Sequence, residues 1–70
     1  MLYSFSMRIL FFSDIFGKPG RDALLAKVRD LTDEYGADFV VANGENAAAG
    51  AGITRKIAER LLSGGVDVIT

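Results

Sequence analysis

Three short apolar runs, Arg8–Phe12, Phe39–Ala42 and Val66–Ile69, are separated by two stretches of helical periodicity. Runs of this length without polar alternation suit strands buried on both faces. Between the first two, Leu24, Val28, Leu31 and Tyr35 recur at steps of four, three and four with Leu25 beside them, which makes one apolar helix face. Arg21, Asp22, Arg29, Asp30 and Asp33 fall between those positions. Arg29 with Asp33 is expected as a surface pair worth roughly a few tenths of a kcal/mol. Gly36 is the natural end of this helix. Before the third run, Thr54 is placed to cap a helix whose face is Ile57, Ala58, Leu61 and Leu62, with Gly64 and Gly65 ending it.

The order strand, helix, strand, helix, strand predicts an α/β chain built as a βαβαβ unit with parallel strands. Right-handed crossovers put both helices on one face if the sheet grows in one direction. The other face is then apolar with no helix to cover it, so further chain or a partner is expected there. A chain of 70 residues with no Cys is marginal alone and has no disulfide to help it.

Composition narrows the chemistry. With no His and no Cys, serine- and cysteine-based nucleophilic systems, thiol redox chemistry and zinc sites of ordinary composition are excluded for these residues. Carboxylates, amides and backbone remain. Eight basic against nine acidic residues give a net charge of -1, which offers no overall basic footprint for DNA. Met1–Phe12 is apolar, but Arg8 interrupts it and no cleavage site follows. No run approaches the length of a membrane span, and a cytoplasmic location is expected. Residues 1–6 read as an extension ahead of an alternative start at Met7, and 7–70 as the domain segment.

Ligands of open parallel sheets gather beyond the carboxyl ends of the strands. Two clusters qualify: Asp14, in the loop Asp14–Gly20 after the first run, and Asn43-Gly44-Glu45-Asn46 after the second. Because consecutive strands are usually neighbours, Asp14, Glu45 and Asn46 are expected at one rim. Two carboxylates and an amide oxygen form half of a site for hard divalent cations. Asp14 could equally serve as a loop residue or helix N-cap, and Asn43 and Asn46 as turn residues. Pro19 suits the first turn of a helix. Gly17-Lys18-Pro19-Gly20 lacks P-loop spacing, and Gly50-Ala51-Gly52 lacks the third glycine of the dinucleotide fingerprint. Gly50 and Gly52 are expected to turn the loop over the rim and offer N–H groups to an anion. Lys18, Arg21 and Arg55 read chiefly as solvated surface charge, with assistance to a bound phosphate as the alternative role.

Asp14-Ile15-Phe16-Gly17-Lys18-Pro19-Gly20 and Ala42-Asn43-Gly44-Glu45-Asn46-Ala47-Ala48, with Gly52-Ile53-Thr54 and Gly65–Thr70, resemble the start of the YmdB-like metallophosphoesterases. The likeness covers nearly the whole chain from Met7. It implies the N-terminal part of a calcineurin-like four-layer α/β/β/α sandwich, whose second sheet would cover the bare face. It also implies a phosphodiesterase opening 2',3'-cyclic nucleotides or RNA-derived phosphodiesters with two divalent ions, iron or manganese. By matching motifs, Asp14 would ligate the first ion, Glu45 would bridge both, and Asn46 would complete the first ion's ligands. The resemblance implies no membrane or DNA partner and is compatible with a homo-oligomer. Phe16 stands where the wider superfamily has a His ligand. The family's Asn-His pair, carrying the catalytic acid, would follow Thr70, so no catalytic residue is expected within these residues. Two alternatives remain at this level: a nucleotide- or anion-binding module without catalysis, and an assembly segment docking through its apolar sheet face.

Overall fold

The computed structural model describes residues 6–49 and 52–70. The proposed extension, apart from Ser6, and the expected turn at Gly50 lie outside them. Strand β1 (Ile9–Phe12) is followed by helix α1 (Gly17–Tyr35), strand β2 (Phe39–Ala42), helix α2 (Arg55–Gly64) and strand β3 (Val68–Ile69). The sheet has the order β1-β2-β3 and both pairings are parallel. Ile9 lies opposite Phe39 and Phe12 opposite Ala42, while Val41 and Ala42 face Val68 and Ile69. The α/β class and the βαβαβ order are those the apolar runs specify.

Alternation along the strands sorts the sheet into two faces. Leu10, Phe12, Val40, Ala42 and Ile69 pack with Leu24 and Val28 of α1 and Leu61 of α2 in one apolar core. Leu61 and Val28 are completely buried, and burying a side chain of this kind stabilises by roughly 1.5–3 kcal/mol. Both helices therefore cover the same face. The opposite face carries Ile9, 60% exposed, and Phe11, 56% exposed, beside the exposed Phe39 and Val68. Among the described residues no element covers this apolar face, as the strand composition predicts.

Several local expectations are corrected. The first connection is shorter than Asp14–Gly20, because α1 begins at Gly17, with Phe16 at its N-cap and no side-chain cap. The Gly20 N–H donates to the Phe16 carbonyl at 3.1 Å. Pro19 still falls in the first turn, where its missing N–H removes no helical bond. Asp14 is thus not a helix cap. Tyr35 and Leu62 share their helix's apolar stripe in sequence but are exposed and lie outside the core cluster. Arg29 does not pair with Asp33; it donates instead to the Ser63 carbonyl on α2 at 3.3 Å.

The strand ends are also trimmed for identifiable reasons. Arg8 is held at β1's entrance by side-chain bonds, its N–H donating to Asp38 Oδ2 at 2.9 Å and its guanidinium to the Tyr35 carbonyl at 3.0 Å. The Val66 N–H returns to the Leu61 carbonyl of α2 at 3.1 Å, so β3 starts later than Val66. Asp67 bridges the gap: its N–H donates to the Val40 carbonyl at 2.8 Å, and its Oδ2 accepts the Val40 N–H at 2.8 Å.

Candidate metal centre at the strand ends

The two loops leaving β1 and β2 are stitched together at the carboxyl rim. The Asn43 N–H donates to the Phe12 carbonyl at 2.9 Å, carrying the strand pairing one step past β2. The Gly44 N–H then donates to the Thr70 carbonyl at 3.0 Å, and the Thr70 N–H to the Ala42 carbonyl at 2.9 Å. Gly44 is needed for closeness. A Cβ there would lie 2.9 Å from Ile69 Cγ2 and 3.1 Å from Ile53 Cδ1.

Beyond Gly44 the chain turns tightly over residues 45–49. Ala47 N–H donates to the Gly44 carbonyl at 3.1 Å and Ala49 N–H to the Asn46 carbonyl at 3.0 Å. Ala47 itself is fully buried in the core. The turn is docked on the start of α1, where the Gly17 N–H donates to the Asn46 carbonyl at 3.1 Å and Arg21 Nη1 to the Ala47 carbonyl at 2.6 Å. Gly17 is buried and has φ +60, a left-handed conformation that glycine adopts without strain. The sequence alone reads Arg21 as solvated charge. It is instead half-buried and bonded, a role that no spacing in the sequence signals.

Asp14 sits in the four-residue connection between β1 and α1 with φ 54. Left-handed backbone at a non-glycine residue is uncommon, although Asp tolerates it better than most. Its side chain is exposed and lines an open hollow of about 220 Å³ with Ser13, Ala23 and Lys27. Glu45 is exposed and Asn46 half-buried in the second loop. The loops that carry the three residues leave neighbouring parallel strands at the same edge of the sheet, but the hollow lined by Asp14 includes neither Glu45 nor Asn46. Two carboxylates and an amide oxygen match a hard divalent ion in kind. They fall short in number, since among the described residues no three His, Cys, Asp or Glu side chains gather as a metal ion would require.

Two charge pairs lie on the helix surfaces. Lys18 bonds Asp22 at 2.6 Å and Arg55 bonds Glu59 at 3.0 Å, each one helical turn along. The hydrogen bond from Lys18 holds the Asp22 carboxyl below its ordinary value, with the charges of Lys18, Arg60 and Arg21 acting in the same direction. At α2 the Thr54 hydroxyl accepts the Ile57 N–H at 3.2 Å, so the expected cap is in place. Gly52 has φ +81, and its carbonyl accepts the Ala48 N–H at 2.9 Å.

The sequence matches the family model described as YmdB-like protein over residues 10–70. The chain belongs to the YmdB-like family. It is 48% identical over 64 residues to a 2',3'-cyclic-nucleotide 2'-phosphodiesterase of Bacillus subtilis, covering 91% of this chain and 24% of that protein. Among solved structures, a novel phosphatase from Mycoplasma pneumoniae matches with TM-score 0.86 and 35% identity, covering 90% of this chain and 22% of the other. A hypothetical protein from Thermus thermophilus matches with TM-score 0.78 and 43% identity, over 90% of this chain and 24% of the other. This YmdB-like chain thus spans about a quarter of the length of these relatives, and its βαβαβ unit has the architecture of the corresponding part of both solved structures. Among the described residues no helix is long and apolar enough to cross a membrane.

Proposed function

We propose that this chain supplies the opening ligand loops of a metal-dependent phosphodiesterase that acts on 2',3'-cyclic nucleotides or RNA-derived phosphodiesters. The observation that carries the reading is the junction of the two rim loops: Asn43 bonds back to Phe12, and Asn46 to Gly17, so loops bearing Asp14, Glu45 and Asn46 share one edge of the sheet. The name of the Bacillus subtilis relative supports the reaction class. In this reading Asp14, Glu45 and Asn46 would hold two divalent ions, iron or manganese, with Glu45 shared between them as the family resemblance implies. Such ions polarise a phosphoryl oxygen and lower the pKa of water.

The chain's own part is orientation. Asp14 is presented by a left-handed backbone, and the 45–49 turn is bonded to the start of α1 through Gly17 and Arg21. Nitrogen ligands and the catalytic acid come, in this proposal, from the share of the relatives' length that the chain does not span. The enzyme works in the cytoplasm, without a membrane or DNA partner, and a homo-oligomer is compatible with the exposed sheet face.

The test is hydrolysis of 2',3'-cyclic AMP by the full-length protein with added Mn²⁺. Glu45→Gln and Asp14→Asn should each lower kcat/KM by at least about a hundredfold, since loss of a ligand exceeds the loss seen on mutating groups that merely support one. Melting temperature in the absence of metal should stay near wild type, because both carboxylates are exposed and Asn also tolerates the left-handed backbone at position 14. Wild-type turnover in both variants would overturn the assignment.

A further inference from the structure

The 45–49 turn bears two of the three proposed ligands; Ala47 seats it in the core, and few hydrogen bonds fix its backbone. The Ala49 N–H bond to Asn46 is internal to the turn, the Ala47 N–H reaches back only to Gly44 at the turn's entrance, and the Ala48 N–H reaches only Gly52 in the next stretch of loop. Among the described residues, the hydrogen bonds that tie residues 45–47 to the body of the fold are two, and both come from the start of α1. One is the backbone bond from Gly17 to the Asn46 carbonyl, and the other is the bond from the Arg21 guanidinium to the Ala47 carbonyl.

The Arg21 bond is the stronger of the pair on physical grounds. Its donor is charged, its length is 2.6 Å against 3.1 Å for Gly17, and it is partly buried. Charge-assisted bonds are shorter and roughly twice as strong as neutral ones. The Arg21 acceptor lies two residues from Glu45 and one from Asn46, so freedom at Ala47 becomes freedom at both ligands. Lys18, one turn away on the same helix, spends its charge on Asp22 and does not substitute for it.

We infer that Arg21 is a positioning residue: by clamping the Ala47 carbonyl it fixes the turn that presents Glu45 and Asn46, and so sets the affinity for the ions those two residues would hold. The inference rests on the metal-site reading above. It assigns to Arg21 no contact with substrate or metal.

The experiment is titration of the full-length, metal-free protein with Mn²⁺, following free Mn²⁺ by its electron paramagnetic resonance signal, for wild type, Arg21→Met, Arg21→Lys and Glu45→Gln. Met keeps the apolar stem and removes the donors, while Lys keeps the charge and one donor direction. Arg21→Met should weaken Mn²⁺ binding about tenfold, in the range found for residues that orient metal ligands, and Arg21→Lys should recover part of the loss. A role confined to stability would lower the melting temperature of the metal-free protein and leave the Mn²⁺ affinity of the folded fraction unchanged. A change of less than about threefold in Arg21→Met, with Glu45→Gln strongly impaired, overturns the inference and leaves the metal site standing. Unchanged binding in Glu45→Gln overturns the metal site itself. If Arg21→Met fails to fold, Arg21→Gln, whose shorter side chain falls short of the Ala47 carbonyl, is judged by the same threshold.

Discussion

Replacing Gly44 with Ala tests whether the rim is as tightly closed as its hydrogen bonds indicate. The added Cβ would meet Ile69 Cγ2 at 2.9 Å and Ile53 Cδ1 at 3.1 Å. The Ile53 atom is the end of a flexible side chain and can swing away. Ile69 cannot, because its Cγ2 branches directly from a strand residue with restricted χ1 and its backbone is paired with Ala42. Overpacking of this kind costs about 1–3 kcal/mol. Gly44 does not have a positive φ, so Ala gains about 0.4–1 kcal/mol by restricting the unfolded chain, and the net loss lies between about 0 and 2.6 kcal/mol. In a protein of a few hundred residues this lowers Tm by about 2–4 °C per kcal/mol. The decisive assay is a double-mutant cycle with Ile69→Ala, read by calorimetry. Ile69→Ala alone should destabilise by about 2 kcal/mol for the lost methyl groups, yet the double variant should be more stable than the sum of the single effects by about 1 kcal/mol, since the clash is gone. Strict additivity in this cycle would refute the close approach of Gly44 to β3.

The Asp22 carboxyl is held below its ordinary value in the folded chain, so its contribution to stability is present above the unfolded carboxylate pKa and is lost as pH falls through the lower folded value. Wild type should therefore lose stability relative to Asp22→Asn on acidification below the ordinary carboxylate range. At neutral pH the two should differ little, because the pair with Lys18 is exposed, and urea melts from the acid limb up to neutrality would check both statements. The uncovered sheet face predicts that the 70-residue chain associates as its concentration rises. Ile9→Lys with Phe11→Lys should suppress this in sedimentation velocity, whereas an unchanged association would move the contact elsewhere.

The strands and helices are legible because their signals are local and repeated. Phe39–Ala42 coincides with β2 as observed, and Thr54 and Gly36 mark helix ends by their own chemistry. The rim is legible for a topological reason, since parallel neighbours put their exits on one edge. What cannot be read depends on side chains meeting across long stretches of sequence. Arg21 reaches Ala47 across 26 residues and Arg29 reaches Ser63 across 34, and neither partner is a side chain that a pattern could flag. Asp14 lining a hollow without Glu45 is likewise a matter of where a loop points. The start of α1 escapes the sequence because Phe16 is a poor cap by composition, and the Gly17 bond to Asn46 compensates from another loop.

Asp67 gives the sheet a means of proofreading. Its carboxylate stands in for a missing strand partner by accepting the N–H of Val40, which is 2% exposed. Were β3 to slip by one residue, successive side chains would exchange faces, the carboxylate would point away, and a buried N–H would lose its acceptor at about 1–3 kcal/mol. The same slip would carry Val68 off the open face. Apolar parity and one polar group thus reject the same error independently, which makes the two-residue β3 far better aligned than its length alone would allow, and makes insertions or deletions between Gly64 and Asp67 less tolerable than in the turn at Gly36.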